Sequence, residues 1–155
     1  MLTIVAPGIS SEKEPLQACV YSKHEIEGVW DLLEPFFQRS IDVSNGRLTM
    51  RWLQQGLLLG AIVAFATYRK DKLEMVLAVE MANYPGMDVA RIVAIAGKNL
   101  KEASRFLDAL ETWALSQGAV EIEGFCRPAM VRLARHFGWK PQVLIVTKDL
   151  RRRLQ

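Results

Sequence analysis

The chain has 155 residues, half of them apolar and about a quarter charged, with a net charge of +3. This composition supports a real core in one domain of ordinary size and excludes intrinsic disorder, and the mild basicity is not a nucleic-acid signature by itself. The most apolar stretch, residues 57–66, is half the roughly 20 residues that a membrane span needs, and the N-terminus lacks the basic start and long apolar run of a secretory leader.

Residues 1–14 carry Pro, Gly, Ser and mixed charge without periodicity and read as an irregular arm. A short strand is predicted over 16–21. A helix follows from about residue 23, with Ile26, Val29, Trp30, Leu33, Phe36 and Phe37 on one face. Pro35 is expected to kink it or end its regular part. Asn45-Gly46 marks a turn, and Thr49 caps a second short helix that stops at Gly56. Two apolar strands, 57–68 and 73–81, flank the polar turn "RKDK" as a hairpin, and Pro85-Gly86 breaks the chain before a strand over 89–96.

The next helix is predicted over 100–117, with Asn99 and Glu102 as a capping box and Gly118 as its stop. A strand over 119–125 alternates Glu121 and Glu123 with Val120 and Ile122, and should pair in parallel with 89–96. Pro128 opens a last helix with Met130, Leu133, Ala134 and Phe137 inward, and "QVLIVTKDL" is the closing strand. The fold class is therefore α/β: one mixed sheet of about six strands with helices on both faces, in the order β-α-α-β-β-β-α-β-α-β.

Several residue types invite chemistry. Cys19 and Cys126 lie far apart with no metal or redox spacing, and read as reduced, buried thiols. His24 and His136 are isolated, and His136 suits a helix C-terminus. Glu80 sits in "MVLAVEMA", where burial would make a usable base; the plainer alternative is that Glu74, Val76, Ala78 and Glu80 share a partly solvated face. Glu121 and Glu123 are either a carboxylate pair or an exposed strand face. Trp30, Trp52, Trp113 and Trp139 are core, with one or two free to anchor a partner surface. Arg151, Arg152 and Arg153 form a basic tail over 151–155, read as a solvated end or as a weak nucleic-acid contact.

The order of elements, together with "VWDLLEPFFQRS", "LTMRWLQQG", "EMANYPG", "FLDALETWALSQGAVEIEGFCRP" and "VRLARHFGWKP", resembles the GNAT (Gcn5-related N-acetyltransferase) superfamily over residues 15–150. Within it the pattern is similar to GNAT-like proteins of tailed bacteriophages, some of which are packaged as internal virion components. The resemblance implies a coenzyme A cradle between the strand over 89–96 and the following helix, of the pattern Arg/Gln-x-x-Gly-x-Gly/Ala. Gly97, Lys98 and Asn99 fall there, without the leading Arg/Gln or the second small residue.

The family's acid, a tyrosine four residues before a Gly-aromatic pair, corresponds to Ala134, which has no proton to give. Tyr68 and Tyr84 are the nearest other phenols in sequence. The resemblance thus implies a virion-associated structural protein of the internal core or the portal-tail region, with a vestigial cradle and no cofactor or metal. Its partners would be its own copies or other virion proteins, and its locations the host cytoplasm and then the virion. The alternative it leaves is an active acetyl-CoA-dependent N-acetyltransferase with a divergent cradle, in which Glu80 is the candidate base.

Overall fold

The computed structural model describes residues 2–5, 16–98, 102, 104–143 and 145–151. Contacts divide the chain into two units, Met1–Phe125 and Cys126–Gln155. The first holds β1 (Leu2–Val5), β2 (Leu16–Tyr21), α1 (Ile26–Asp42), α2 (Met50–Leu59), β3 (Ile62–Arg69), β4 (Lys72–Tyr84), β5 (Met87–Gly97), α3 (Ser104–Ser116) and β6 (Glu121–Gly124). The second holds α4 (Pro128–His136).

The six strands form one sheet in the order β1-β2-β3-β4-β5-β6. Neighbours are antiparallel except β5 and β6, which pair in parallel across α3 as a strand–helix–strand unit requires. Six strands stand as expected, but their identity differs at both ends of the chain. Leu2–Val5, assigned to the irregular arm, pairs antiparallel with β2. The segment expected to close the sheet carries no strand among its described residues, and Val143, Ile145 and Val146 are exposed. Its β-branched run supplies propensity, but propensity makes a strand only where a ladder partner is bound.

Within the first unit, α1 and α2 bury their apolar faces on one side of the sheet and α3 on the other. On one side Leu33 and Phe37 of α1 and Leu53 and Leu57 of α2 pack on Ala64, Ala66, Val76, Ala78, Ala94 and Ala96, whose small side chains let the helices approach closely. On the other side Phe106, Leu110 and Ala114 of α3 pack on Phe65, Leu77, Val79 and Ala90.

α1 runs through Pro35 as one helix, because Leu33 and Phe37 on either side are both fully buried and outweigh the lost backbone bond. α2 likewise passes Gly56, expected as its stop, and ends at Gly60 with φ of 78°. A Cβ on Gly56 would meet Ile62 Cδ1 at 2.5 Å, so that glycine serves close packing and not termination. As a result β3 begins at Ile62 and not at residue 57. Pro85-Gly86 is the tip of a hairpin that is laddered up to the Tyr84–Met87 pair; α3 is described from Ser104, and its expected start near residue 100 lies outside the described residues. Thr49 Oγ1 caps α2 as expected, accepting from the Trp52 amide at 3.2 Å. In the second unit α4 has the expected bounds, but Met130, Leu133, Ala134 and Phe137 are half-exposed and none of its residues is buried.

Among the described residues no helix is long and apolar enough to cross a membrane.

Candidate functional site

The site is set by an irregularity in β5. Ala78 of β4 lies opposite Ala94, but Val79 lies opposite Ile92, so Val93 is an extra residue on β5. Such a bulge bends the strand that carries it and ends regular pairing nearby. On the other edge of β5 the parallel ladder reaches only from Val89–Glu121 to Ile92–Gly124. Residues 93–97 of β5 therefore run on without a partner in β6. An extended ligand bearing amides could pair with backbone groups on such an edge.

The turn after β5 was expected to hold phosphate. Gly97 lies inside β5, opposite Met75, and a Cβ on it would meet Glu74 O at 2.6 Å and Met75 Cα at 2.7 Å. Its lack of a side chain is required by the approach of β4. Lys98 is exposed, and its amide donates to Glu74 O at 3.0 Å, so that N–H is turned into the protein and away from any ligand. Asn99 lies outside the described residues.

Glu102 accepts from Arg69, which also donates to Glu74 at 2.9 Å; the capping box expected of Glu102 with Asn99 falls on a residue outside the described ones. The bond to Glu74 is the largest of the influences that hold the Arg69 pKa above its ordinary value. Arg69 is thus shared between two carboxylates. The six residues ahead of Ser104, from which α3 is described, are 98–103. Laid on these, the family pattern puts Lys98 at the leading Arg/Gln, Lys101 at the first glycine and Ala103 at the closing small residue. Lys101 and Ala103 lie outside the described residues.

Glu80 belongs to a cluster around the Arg91–Glu123 pair of the β5–β6 ladder. Arg91 of β5 donates to Glu80 at 3.2 Å, to Glu123 of β6 at 2.6 Å and to the Tyr84 hydroxyl at 2.8 Å, and Tyr84 donates in turn to Glu123 at 2.9 Å. The Tyr84 and Phe125 rings lie 5.8 and 5.9 Å from the guanidinium carbon. The bond to Glu123 is foremost among the contacts that hold the Arg91 pKa above its ordinary value. Glu80 is half-buried and ion-paired, not an isolated carboxylate in apolar surroundings. The partly solvated face expected of Glu74, Val76, Ala78 and Glu80 has Val76 and Ala78 fully buried in its middle and, at each end, a partly exposed glutamate paired with an arginine. Arg91 itself was missed, although a lone arginine inside the apolar run "VARIVAIAG" was visible.

The remaining groups are placed as follows. Cys19 is buried, and burial pushes its thiol pKa up, whereas Cys126 is exposed and not buried as expected; both are free thiols. The Tyr21 hydroxyl lies 2.6 Å from that of Tyr68, and burial followed by this bond raises its pKa well above the usual phenol range. His136 lies in the last turn of α4, as a capping role requires. Arg151 pairs with Asp149 at 2.7 Å, and Arg152 and Arg153 lie outside the described residues. No group of three or more His, Cys, Asp and Glu side chains among the described residues is placed to hold a metal ion.

No protein-family model matches the sequence, and no curated protein sequence matches it significantly. Solved structures do match. The chain is similar to the aminoglycoside acetyltransferase meta-AAC0020 from an uncultured soil metagenomic sample, solved with sisomicin, with a TM-score of 0.66 and 14% identity over 88% of this chain and 97% of that one. It is similar to a predicted acetyltransferase from Clostridium acetobutylicum, solved with acetyl-CoA, with a TM-score of 0.63 and 11% identity over 87% and 96% of the two chains. A GCN5-related N-acetyltransferase from Ralstonia eutropha matches with a TM-score of 0.62 and 12% identity over 86% and 98%. The chain therefore has the GNAT fold.

Proposed function

We propose that this chain is a GNAT-fold protein that works as a structural, protein-binding component and does not turn over acetyl-CoA. The observation that carries this reading is the turn after β5. Phosphates are held at such turns by free backbone N–H groups and nearby cations. Here the Lys98 amide is bonded to Glu74 O, and Arg69 is held by Glu74 and Glu102. The Glu102 carboxylate brings negative charge to the approach to α3, where a pyrophosphate would need positive charge. The described residues at this turn, Lys98 and Glu102 with Arg69 beside them, thus fit the phosphate end of coenzyme A poorly. Ala134, at the place of the family's acid, agrees with this. The resemblance to tailed-phage proteins supports a virion-associated place, in the internal core or the portal-tail region.

A second reading, a divergent N-acetyltransferase, is favoured by the Val93 bulge and the part of β5 left without a β6 partner. The neighbour from Clostridium acetobutylicum was solved with acetyl-CoA, and Lys98 and Ala103 keep part of the family pattern.

Thermal shift with millimolar acetyl-CoA, confirmed by calorimetry, separates the two. No change in Tm is expected. Binding at 100 times Kd would add about 2.7 kcal/mol, a rise of roughly 5–10 °C for a chain of this size. Such a rise, abolished by Lys98→Ala, would overturn the structural reading in favour of the enzyme.

A further inference from the structure

The charge of the chain is divided unevenly. The 30 residues from Cys126 to Gln155, which are the second unit, hold eight of the 20 Lys and Arg residues and one of the 17 Asp and Glu residues, for a net charge of +7. The 125 residues of the first unit hold the other 12 and 16, for a net charge of −4. The +3 of the whole chain is therefore the difference between a basic unit and an acidic one. An asymmetry of this kind points to a polyanionic partner.

The two units also use their cations differently. In the first, Arg69 and Arg91 are half-buried and each is held by two carboxylates. In the second, Arg127, Arg132, Arg135, Lys140, Lys148 and Arg151 are all exposed, and among the described residues only Arg151 of these six is ion-paired, with Asp149. No acidic residue lies between Glu123 and Asp149 in the sequence. α4 sorts its side chains by type. Met130, Leu133, Ala134 and Phe137 fall along one side and are half-exposed, whereas Arg132 and Arg135 fall on the opposite side and are exposed.

We infer that the second unit binds the phosphate backbone of a nucleic acid through these cations, without reading its sequence. The arrangement on α4 favours this partner over a lipid surface. A helix lying on an anionic bilayer buries its apolar side and carries its cations at the flanks of that side, where they reach the headgroups. Arg132 and Arg135 face the other way. A nucleic acid needs only the basic side, whatever covers the apolar one. The residue type agrees: six of the eight cations are arginine, whose planar guanidinium matches two oxygens of one phosphate. Contacts of this kind hold a protein on the backbone and carry no sequence information. This binding does not depend on how the turn after β5 is read.

The test is fluorescence anisotropy of a labelled DNA duplex of roughly 25 base pairs, titrated with the full chain at several salt concentrations. About three to five phosphate contacts give a slope of log K on log salt of about −2.7 to −4.5, so affinity should fall about 40- to 500-fold between about 50 and 200 mM salt. Arg132→Ala with Arg135→Ala should weaken binding about tenfold or more and reduce the slope by about 2. The circular dichroism spectrum and Tm should not change, because neither side chain is buried. Lys140→Glu with Lys148→Glu, both outside α4, should weaken binding as well, so the result does not rest on one helix. No binding at low salt overturns the inference, as does binding that is insensitive to salt or indifferent to either pair of substitutions. Uptake by vesicles of mixed phosphatidylcholine and phosphatidylserine without binding to the duplex would overturn it in favour of a membrane. Displacement of the duplex by polyglutamate as readily as by unlabelled DNA would overturn it in favour of an acidic protein.

Discussion

Replacing Gly97 with valine is expected to lower the stability of the fold by about 3 kcal/mol or more, at the upper end of the overpacking range. The cause is the position of the strand behind it. A Cβ at Gly97 would lie 2.6 Å from Glu74 O and 2.7 Å from both Met75 Cα and Cβ, and two of these three atoms are backbone. No rotamer change relieves that contact, so β4 and β5 must separate locally. The Lys98–Glu74 hydrogen bond at 3.0 Å would be strained by the same movement. Thermal or urea denaturation measures the effect, expected as a Tm lowered by roughly 6–12 °C. Gly97→Ala should show the same sign with a smaller magnitude. A glycine that served only to admit phosphate would tolerate both changes in the ligand-free protein, so an unchanged Tm would sink the packing account.

Phe65→Ala should cost at least as much, about 3–5 kcal/mol. Phe65 is fully buried in the middle of β3, with Phe106 of α3 edge-on at 6.0 Å and Trp113 edge-on at 5.3 Å. Truncation removes both ring contacts and leaves a cavity beneath α3. The rest of that layer, Leu77, Val79, Ala90 and Leu110, is held by the sheet and the helix and can collapse only in part. Chemical denaturation gives the value directly. Phe65→Leu should recover much of the loss, because it restores apolar volume without the ring geometry. A loss below about 1 kcal/mol for the alanine variant would mean that α3 is not anchored through this ring.

The elements that could be read from sequence are those with strong periodicity. α1, α4 and the hairpin of β3 and β4 follow from apolar spacing and turn chemistry, and the parallel pairing of β5 and β6 follows from the helix between them. Boundaries failed where a glycine had two meanings. Gly56 reads as a stop but allows contact with Ile62, and Gly97 reads as a turn residue but sits within a strand. Only three-dimensional neighbours distinguish these uses.

The Arg91 cluster was illegible for a related reason. Glu80, Tyr84, Arg91 and Glu123 come from three strands and meet only through the register of β4 on β5 and β5 on β6. The "VLIVT" run failed in the opposite direction, because its local signal for a strand was strong and its described residues carry no strand.

The spatial order of the sheet has a consequence for how the chain folds. Strands β1 to β6 lie side by side in the same sequence in which they occur along the chain. Each new strand needs only to find the one made before it, and the turns of the β3–β4–β5 meander are short, so little loop entropy is lost in closing it. Low sequence separation between partners favours fast folding. A chain emerging from the ribosome can lay down this sheet from one edge to the other. The two longer reaches, β2 to β3 across α1 and α2 and then β5 to β6 across α3, are the closures that cost the most loop entropy, and until the second occurs β5 remains the growing edge.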